Sequence, residues 1–229
     1  ISGYVGPTGS IAALDLAPDN IAALEGRLAA SPLPCPVEAR VGSITDLPYA
    51  DDTFDAVWIG NVLLYLDDDA MATAIRECRR VIRPGGQLAV KDPEPGLQRF
   101  YPADAMASLH FLDAWRRQFG SERMIFTGIF RTREYRRWLE RAGFVDVRQR
   151  TFPIERWAPL TDIERQYFAD TIAYIAAMAP ELDLPAEEQA FWRTQLDRGS
   201  PDRLLNQPDF YSGASQVVAV GHVPSDREG

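Results

Sequence analysis

Short apolar runs alternate with amphipathic stretches along this chain, and the alternation predicts its elements. Ile11, Ala12, Ala13 and Leu14 lead to Asp15, a run that reads as a buried parallel strand. From Pro18 onward Ile21, Leu24 and Leu28 recur at spacings of three and four, which predicts an amphipathic helix over 18–30 opened by the proline. The proline-rich stretch 31–36 breaks it. Val37, Ala39 and Val41 then alternate with polar residues as a strand ending at Gly42. A polar loop, 43–53, leads into a short apolar strand at 54–59. Asp67, Asp68 and Asp69 stand where a helix start favours acids. Met71, Ile75, Cys78 and Ile82 share one helical face until Arg83-Pro84-Gly85-Gly86 stops it. A strand at 88–90 runs into Lys91, Asp92, Pro93 and Glu94.

The second half is less regular. Residues 95–130 are aromatic-rich, with Phe100, Tyr101, Phe111, Trp115, Phe119, Phe126 and Phe130. A helix from about Thr132 puts Tyr135, Trp138, Leu139 and Ala142 on one side and ends at Gly143, before a strand at 144–150. Two or three helices interrupt the sheet over 155–210. The first opens on a capping box, Thr161 with Glu164, ahead of Tyr167, Phe168 and Ile175. The second starts near Pro185, and 216–222 forms a final strand. Strands alternating with helices in this order make an α/β sheet protein.

Composition narrows the classes. At 46% hydrophobic and 25% charged, the chain has the balance of a globular protein. Its net charge of -9 disfavours nucleic acid and anionic membrane as partners, because phosphate binding needs clustered Lys and Arg. Arg76, Arg79, Arg80 and Arg83 do cluster, on what reads as the solvated side of a helix. No apolar run is long enough to cross a bilayer. Cys35 and Cys78, outside any C-x-x-C, suggest a reducing, cytoplasmic setting with neither disulfide nor zinc framework. With only His110 and His222, a histidine-rich metal site is not expected.

An acid that ends a strand and precedes a helix can accept both hydroxyls of a ribose; it can equally cap the helix. Asp15 is such an acid. Its stretch, 6–21, stands in order with 44–68, 76–90 and the strand–insert–strand end. Together these resemble class I S-adenosylmethionine-dependent methyltransferases of the small-molecule type, the group that includes the ubiquinone and menaquinone biosynthesis methyltransferases. The resemblance implies a Rossmann-like, doubly wound α/β sheet with a terminal antiparallel strand and helical cap insertions. It divides the chain into a cofactor-binding domain (1–92, 132–154 and 211–224) and a substrate-binding cap (93–131 and 155–210). It also puts the first strand and its glycine-rich loop before residue 1, a central strand whose loss would expose both neighbours' edges.

On the same resemblance, Asp15 would bind the ribose of S-adenosyl-L-methionine and Leu16 would pack on the adenine. Where the family reads Gly-Asp-Ala, this chain has Gly42-Ser43-Ile44. Ser43 can still accept a hydrogen bond, more weakly than a carboxylate, and Ile44 keeps the amide and adds an apolar wall. Gly60 and Asn61 would meet the methionyl part, with Leu64 and Tyr65 facing the transfer site.

Methyl transfer from a sulfonium is an in-line displacement, in which proximity and a dry pocket supply much of the catalysis. A general base is needed only for a nucleophile carrying a proton of high pKa. His110, in an apolar helical stretch, is the candidate catalytic base or else a hydrogen-bonded helix histidine. Asp92 and Glu94 would orient a substrate amine or serve as turn residues between Pro93 and Pro95; His222 reads as structural. The aromatics of 95–130 and 155–210 line an apolar pocket, form the core of the insert, or do both. The Asn/Asp-Pro-Pro-Tyr/Phe pattern of amino-group nucleic-acid methyltransferases is replaced by Gly60-Asn61-Val62-Leu63. A small, apolar or aromatic acceptor is therefore expected. Two rivals are a nicotinamide-dependent oxidoreductase and a catalytically degenerate methyltransferase-like binding protein.

Overall fold

The computed structural model describes residues 2–119 and 129–225. After a single helical turn, α1 (Ser2–Val5), strand β1 (Ile11–Asp15) and helix α2 (Pro18–Ala30) lead to β2 (Val37–Val41). Strand β3 (Phe54–Gly60), helix α3 (Asp68–Val81) and strand β4 (Ile82–Pro93) follow. Next come β5 (Arg99–Tyr101), α4 (Ala107–Phe119), α5 (Tyr135–Arg141) and β6 (Val145–Trp157). The chain ends with α6 (Asp162–Met178), α7 (Ala186–Thr194) and β7 (Tyr211–His222).

The strands form two sheets. β1 and β2 are parallel, Ile11 opposite Val37 and Asp15 opposite Val41. The larger sheet runs β3-β4-β7-β5, with β6 also paired to β7. β3 and β4 are parallel, while β7 lies antiparallel to β4, β5 and β6. The terminal antiparallel strand expected from the sequence is therefore present. β1 pairs with β2 alone and β3 with β4 alone, so each keeps a free edge among the described residues. The apolar run 11–14 predicted a buried strand, yet every residue of β1 is only half-buried. Trp58 of β3 is 51% exposed.

One face of the larger sheet is closed by α3 and α5. Side chains alternate across a sheet, so Ile59, Leu88, Val90, Val217 and Ala219 face the same way. They meet Met71, Ile75 and Cys78 of α3 and Tyr135 and Leu139 of α5. Asp67 caps α3, its Oδ1 accepting from the Ala70 amide at 2.8 Å. Of the four arginines read as a solvated cluster, Arg80 instead binds the 43–53 loop. It donates to the carbonyls of Leu47 and Tyr49 and pairs with Asp51 and Glu77. Arg83 likewise holds Asp55 and the Thr53 carbonyl.

A second hydrophobic core joins α4, α6 and α7, with Phe111, Ile172, Ala176, Trp192, Leu204 and Phe210 at its centre. The β6–β7 ribbon runs from the main sheet toward it. The sequence ends that first strand at 150 and begins the last at 216; the structure carries them to Trp157 and back to Tyr211. β6 is an edge strand whose side chains stay mostly exposed, so its apolar signal is faint and Pro153 is tolerated. β4 similarly begins at Ile82, which the sequence placed on the face of α3, and runs through the helix-stopping stretch, where Gly85 supplies a φ of 78°. Phe126 lies outside the described residues, as does the side chain of Phe119.

Candidate functional site

The four parallel strands end in two pairs of loops. At the end of β1, Asp15 is held from both sides: Oδ1 accepts from the Ala17 amide at 2.8 Å and Oδ2 from Asn20 Nδ2 at 3.1 Å. The carboxylate thus stiffens the turn into α2 without capping the helix, whose N-cap, Ala17, has no side-chain cap hydrogen bond, and each oxygen keeps a lone pair for a further donor. The Asp15 carbonyl accepts from the Gly42 amide at 3.0 Å, so the ends of β1 and β2 are tied together. A Cβ at Gly42 would come within 2.9 Å of Leu14, which makes glycine the fitting residue here. Leu16 stands 74% exposed beside Asp15.

Ser43 is already engaged. Its Oγ lies 2.7 Å from Thr45 Oγ1 and accepts from the Thr45 amide at 3.2 Å. Ile44 is half-buried and packs against the main core.

At the end of β3 the chain turns sharply at Asn61, whose φ is 58°, a left-handed value that Asn tolerates better than most residues. The turn is locked to β4: the Asn61 amide donates to the Lys91 carbonyl at 2.9 Å, and Lys91 Nζ donates to Asn61 Oδ1 at 2.8 Å. Gly60 sits where a Cβ would meet Trp58 Nε1 at 3.0 Å. Leu64, expected at the transfer site, is buried, whereas Tyr65 is half-exposed. Burial raises the Tyr174 hydroxyl of α6, and ionised Tyr65 would add to it, which sets α6 beside this turn.

Beneath the turn is a buried polar group around Asp92, which the sequence offered either as an acid orienting a substrate amine or as a turn residue. Asp92 is fully buried and accepts from the Tyr135 hydroxyl at 2.5 Å. Burial pushes its carboxyl up to about 6, against the pull of Tyr135 and Lys91 and of the nearby Val62 and Leu64 amides. Its Oδ1 makes no hydrogen bond. Burial also raises the Tyr135 hydroxyl, and the Asp92 charge adds to it. Glu94, also buried, accepts from Thr132 Oγ1 at 2.8 Å and from the Gly96 amide at 3.1 Å. Neither acid faces solvent as a turn residue would. They bind the start of α5 to the end of β4.

His110 lies elsewhere. It sits on α4, its Nδ1 2.6 Å from Glu188 Oε1 on α7, and that carboxylate raises its pKa. The pair links two cap helices. The structure thus joins Asp15, Leu16 and Ser43 at one pair of strand ends and Gly60 with Asn61 at the other, while His110 stands with neither group. Phe168 of α6 belongs to the cap core and Tyr167 points outward. Lys91, Asn20 and the Asp92–Tyr135 pair were missed from the sequence. Only the register that sets Gly60 opposite Lys91 could have found the lysine. Among the described residues, no group of three or more His, Cys, Asp or Glu is placed to hold a metal. No described helix is long and apolar enough to cross a membrane.

Residues 3–90 match the family model described as a methyltransferase domain. The chain is similar to the demethylmenaquinone methyltransferase of Desulfitobacterium hafniense (strain Y51), 33% identical over 101 residues, covering 42% of this chain and 39% of that protein. The Staphylococcus aureus (strain JH9) demethylmenaquinone methyltransferase is 26% identical over 160 residues, covering 66% of this chain and 64% of that one. The chain therefore spans less than two thirds of these relatives' length.

Solved structures share its Rossmann-like fold. A methyltransferase candidate from Bacillus halodurans C-125 superposes with a TM-score of 0.54 at 16% identity, covering 94% of this chain and 84% of that one. The YcgJ protein of Bacillus subtilis gives 0.52 at 14%, covering 95% and 82%. These likenesses extend over nearly the whole chain and show an α/β sheet of the Rossmann-like type.

Proposed function

We propose that this chain transfers a methyl group from S-adenosylmethionine to a small-molecule acceptor. The observation that carries the reading is the methyltransferase-domain match over residues 3–90, which spans the ends of β1, β2 and β3. The residues there fit the cofactor's adenosine side. Asp15 is oriented by Ala17 and Asn20 with acceptor capacity to spare, and beside it Leu16 offers an exposed apolar surface.

In this reading Asp15 holds the ribose hydroxyls, Leu16 and Ile44 flank the adenine, and Ser43 accepts from its exocyclic amine. Ser43 has less to offer than an aspartate, since Thr45 already shares its oxygen. Gly60 and Asn61 meet the methionyl portion, and the Lys91 clasp keeps the Asn61 turn rigid for that contact. The bound cofactor supplies an electrophilic methyl on sulfur. The protein's share is to fix the acceptor in line with it and exclude water. Residues 93–131 and 155–210 act as the cap and the remainder as the cofactor-binding domain. His110 pairs with Glu188 away from both pairs of strand ends, so it acts as base only for an acceptor whose nucleophile reaches the α4–α7 pair.

The acceptor is small and apolar or aromatic. The aromatic composition of the cap supports this, as do relatives named for demethylmenaquinone. A net charge of -9 weighs against nucleic acid, and the cysteine usage supports a cytoplasmic setting.

Calorimetric titration with S-adenosylhomocysteine tests the reading. Asp15→Asn can still accept from the Ala17 amide, so the fold is expected to stay intact. Its affinity for S-adenosylhomocysteine should fall roughly 10- to 100-fold, the cost of losing charge-assisted hydrogen bonds. Unchanged affinity in the variant, or no binding by the parent chain, would overturn the assignment.

A further inference from the structure

The cap holds a positively charged cavity that the methyl-transfer reading does not use. It lies between the first turns of α6 and the turn that follows α7, with a volume of about 230 Å³. Asp162, Arg165, Gln166, Ala169, Arg198 and Arg203 line it. Three guanidinium groups thus share a small space with one carboxylate.

Arg203 is the unusual member, only 9% exposed. Its Nε donates to the Gln195 carbonyl at 3.1 Å. Gln195 is itself fully buried, its side chain donating to the Phe191 carbonyl at 3.0 Å and accepting from the Leu204 amide at 2.8 Å. The interior therefore fixes the plane of the Arg203 guanidinium. Arg165 is anchored in the same manner, one Nη donating to the Leu205 carbonyl at 2.8 Å. Beyond these bonds to neutral carbonyls, the guanidinium groups of Arg165, Arg198 and Arg203 have no hydrogen bond and no ion pair among the described residues. Asp162 makes no ion pair there either. Glu164, two residues further on, is taken up by Arg156 and by the capping box.

Arg203 bears a desolvation cost here, while Arg165 and Arg198 beside it are exposed. A buried cation needs a counter-charge, and Arg cannot escape by giving up its proton. Burial lowers the proton affinity of Arg203, and the charges of Arg198 and Arg165 act in the same direction. In a chain of net charge -9, this is a place built to be positive. Guanidinium forks match the geometry of phosphate oxygens, and the cavity has room for an oxyanion with several waters, each needing about 30 Å³.

We propose that this cavity binds a phosphate or pyrophosphate group, either free or carried on a small organic molecule, through Arg203, Arg198 and Arg165. The proposal does not depend on the identity of the methyl acceptor or on methyl transfer itself.

The test is titration of the full chain with inorganic pyrophosphate at constant ionic strength, followed by calorimetry and thermal unfolding. A saturable isotherm and a saturating rise in Tm are expected. Arg198 is exposed, so Arg198→Gln should fold normally and bind about tenfold more weakly. Arg203→Lys keeps the charge but loses the fork, and should weaken binding as well. Arg76→Gln, on α3, serves as the control and should bind as the parent does. Phenyl phosphate titrated beside inorganic phosphate separates the sources: tighter binding of the ester indicates an organic phosphate, equal binding a free oxyanion. A non-saturating rise, or one equal in parent and Arg198→Gln, would overturn the proposal. S-adenosylhomocysteine titrated in the same samples reports on the cofactor site independently.

Discussion

Asp92 and Tyr135 illustrate how far burial alters a residue that the sequence offers as a substrate-orienting acid or a turn residue. The Asp92 carboxyl sits at about 6, above the usual carboxylate value near 4. Between those two values the folded chain holds a proton that the unfolded chain has released. This group's contribution to stability is therefore full below about pH 4 and is lost as the pH rises through about 6. Asp92→Asn carries no charge to bury and still accepts from Tyr135. Relative to the parent, the variant should gain stability between pH 4 and 7, on the order of 2 kcal/mol. Urea unfolding midpoints of the two proteins at pH 4.5 and pH 7.5 check this, and a constant difference would contradict it. Asp15, by contrast, is half-exposed and hydrogen-bonded by its neighbours, which is why its position and its turn role could both be read from a strand–acid–helix pattern.

At the scale of elements, local signals worked best where one residue pattern decides the outcome. The capping box over Thr161 and Glu164 is present in full, with Glu164 also reaching Arg156 on β6. Thr161→Ala should cost about 1 kcal/mol, measured by chemical unfolding, and Thr161→Ser should recover most of it. The Asp67 cap and the Met71–Ile75–Cys78 face of α3 were equally legible, because a helix writes its burial into a 3.6-residue period. Strand lengths were not. β6 and β7 extend past their apolar segments because the backbone ladder between them continues whether or not the side chains are buried. The half-burial of β1 has a similar origin. Four apolar residues imply cover on both faces, but its strand partner is β2 alone.

Among the described residues two hydrophobic clusters share no residue, one under the sheet and one joining α4, α6 and α7. Ile75 is at the heart of the first and Ile172 of the second, both essentially fully buried. Each Ile→Ala change should cost about 2–5 kcal/mol. If the clusters are energetically separate, the double variant should equal the sum of the two within about 0.5 kcal/mol. A larger discrepancy in a double-mutant cycle would mean that the cap and the sheet unfold through a shared core.

By itself the sequence determined the α/β class, the order of strands and helices, the helix caps and the acid at the end of the first strand. Each depends on residues within a few positions of one another, where periodicity and turn chemistry act directly. Tertiary structure alone decided that Lys91 clasps Asn61, that Tyr135 buries Asp92 and that His110 pairs with Glu188 across 78 positions. It also brought Arg165 together with Arg198 and Arg203 and left the sheet in two pieces. Those outcomes depend on strand register and on how helices from distant parts of the chain pack. No local pattern encodes either, because the partners meet only after the chain has folded.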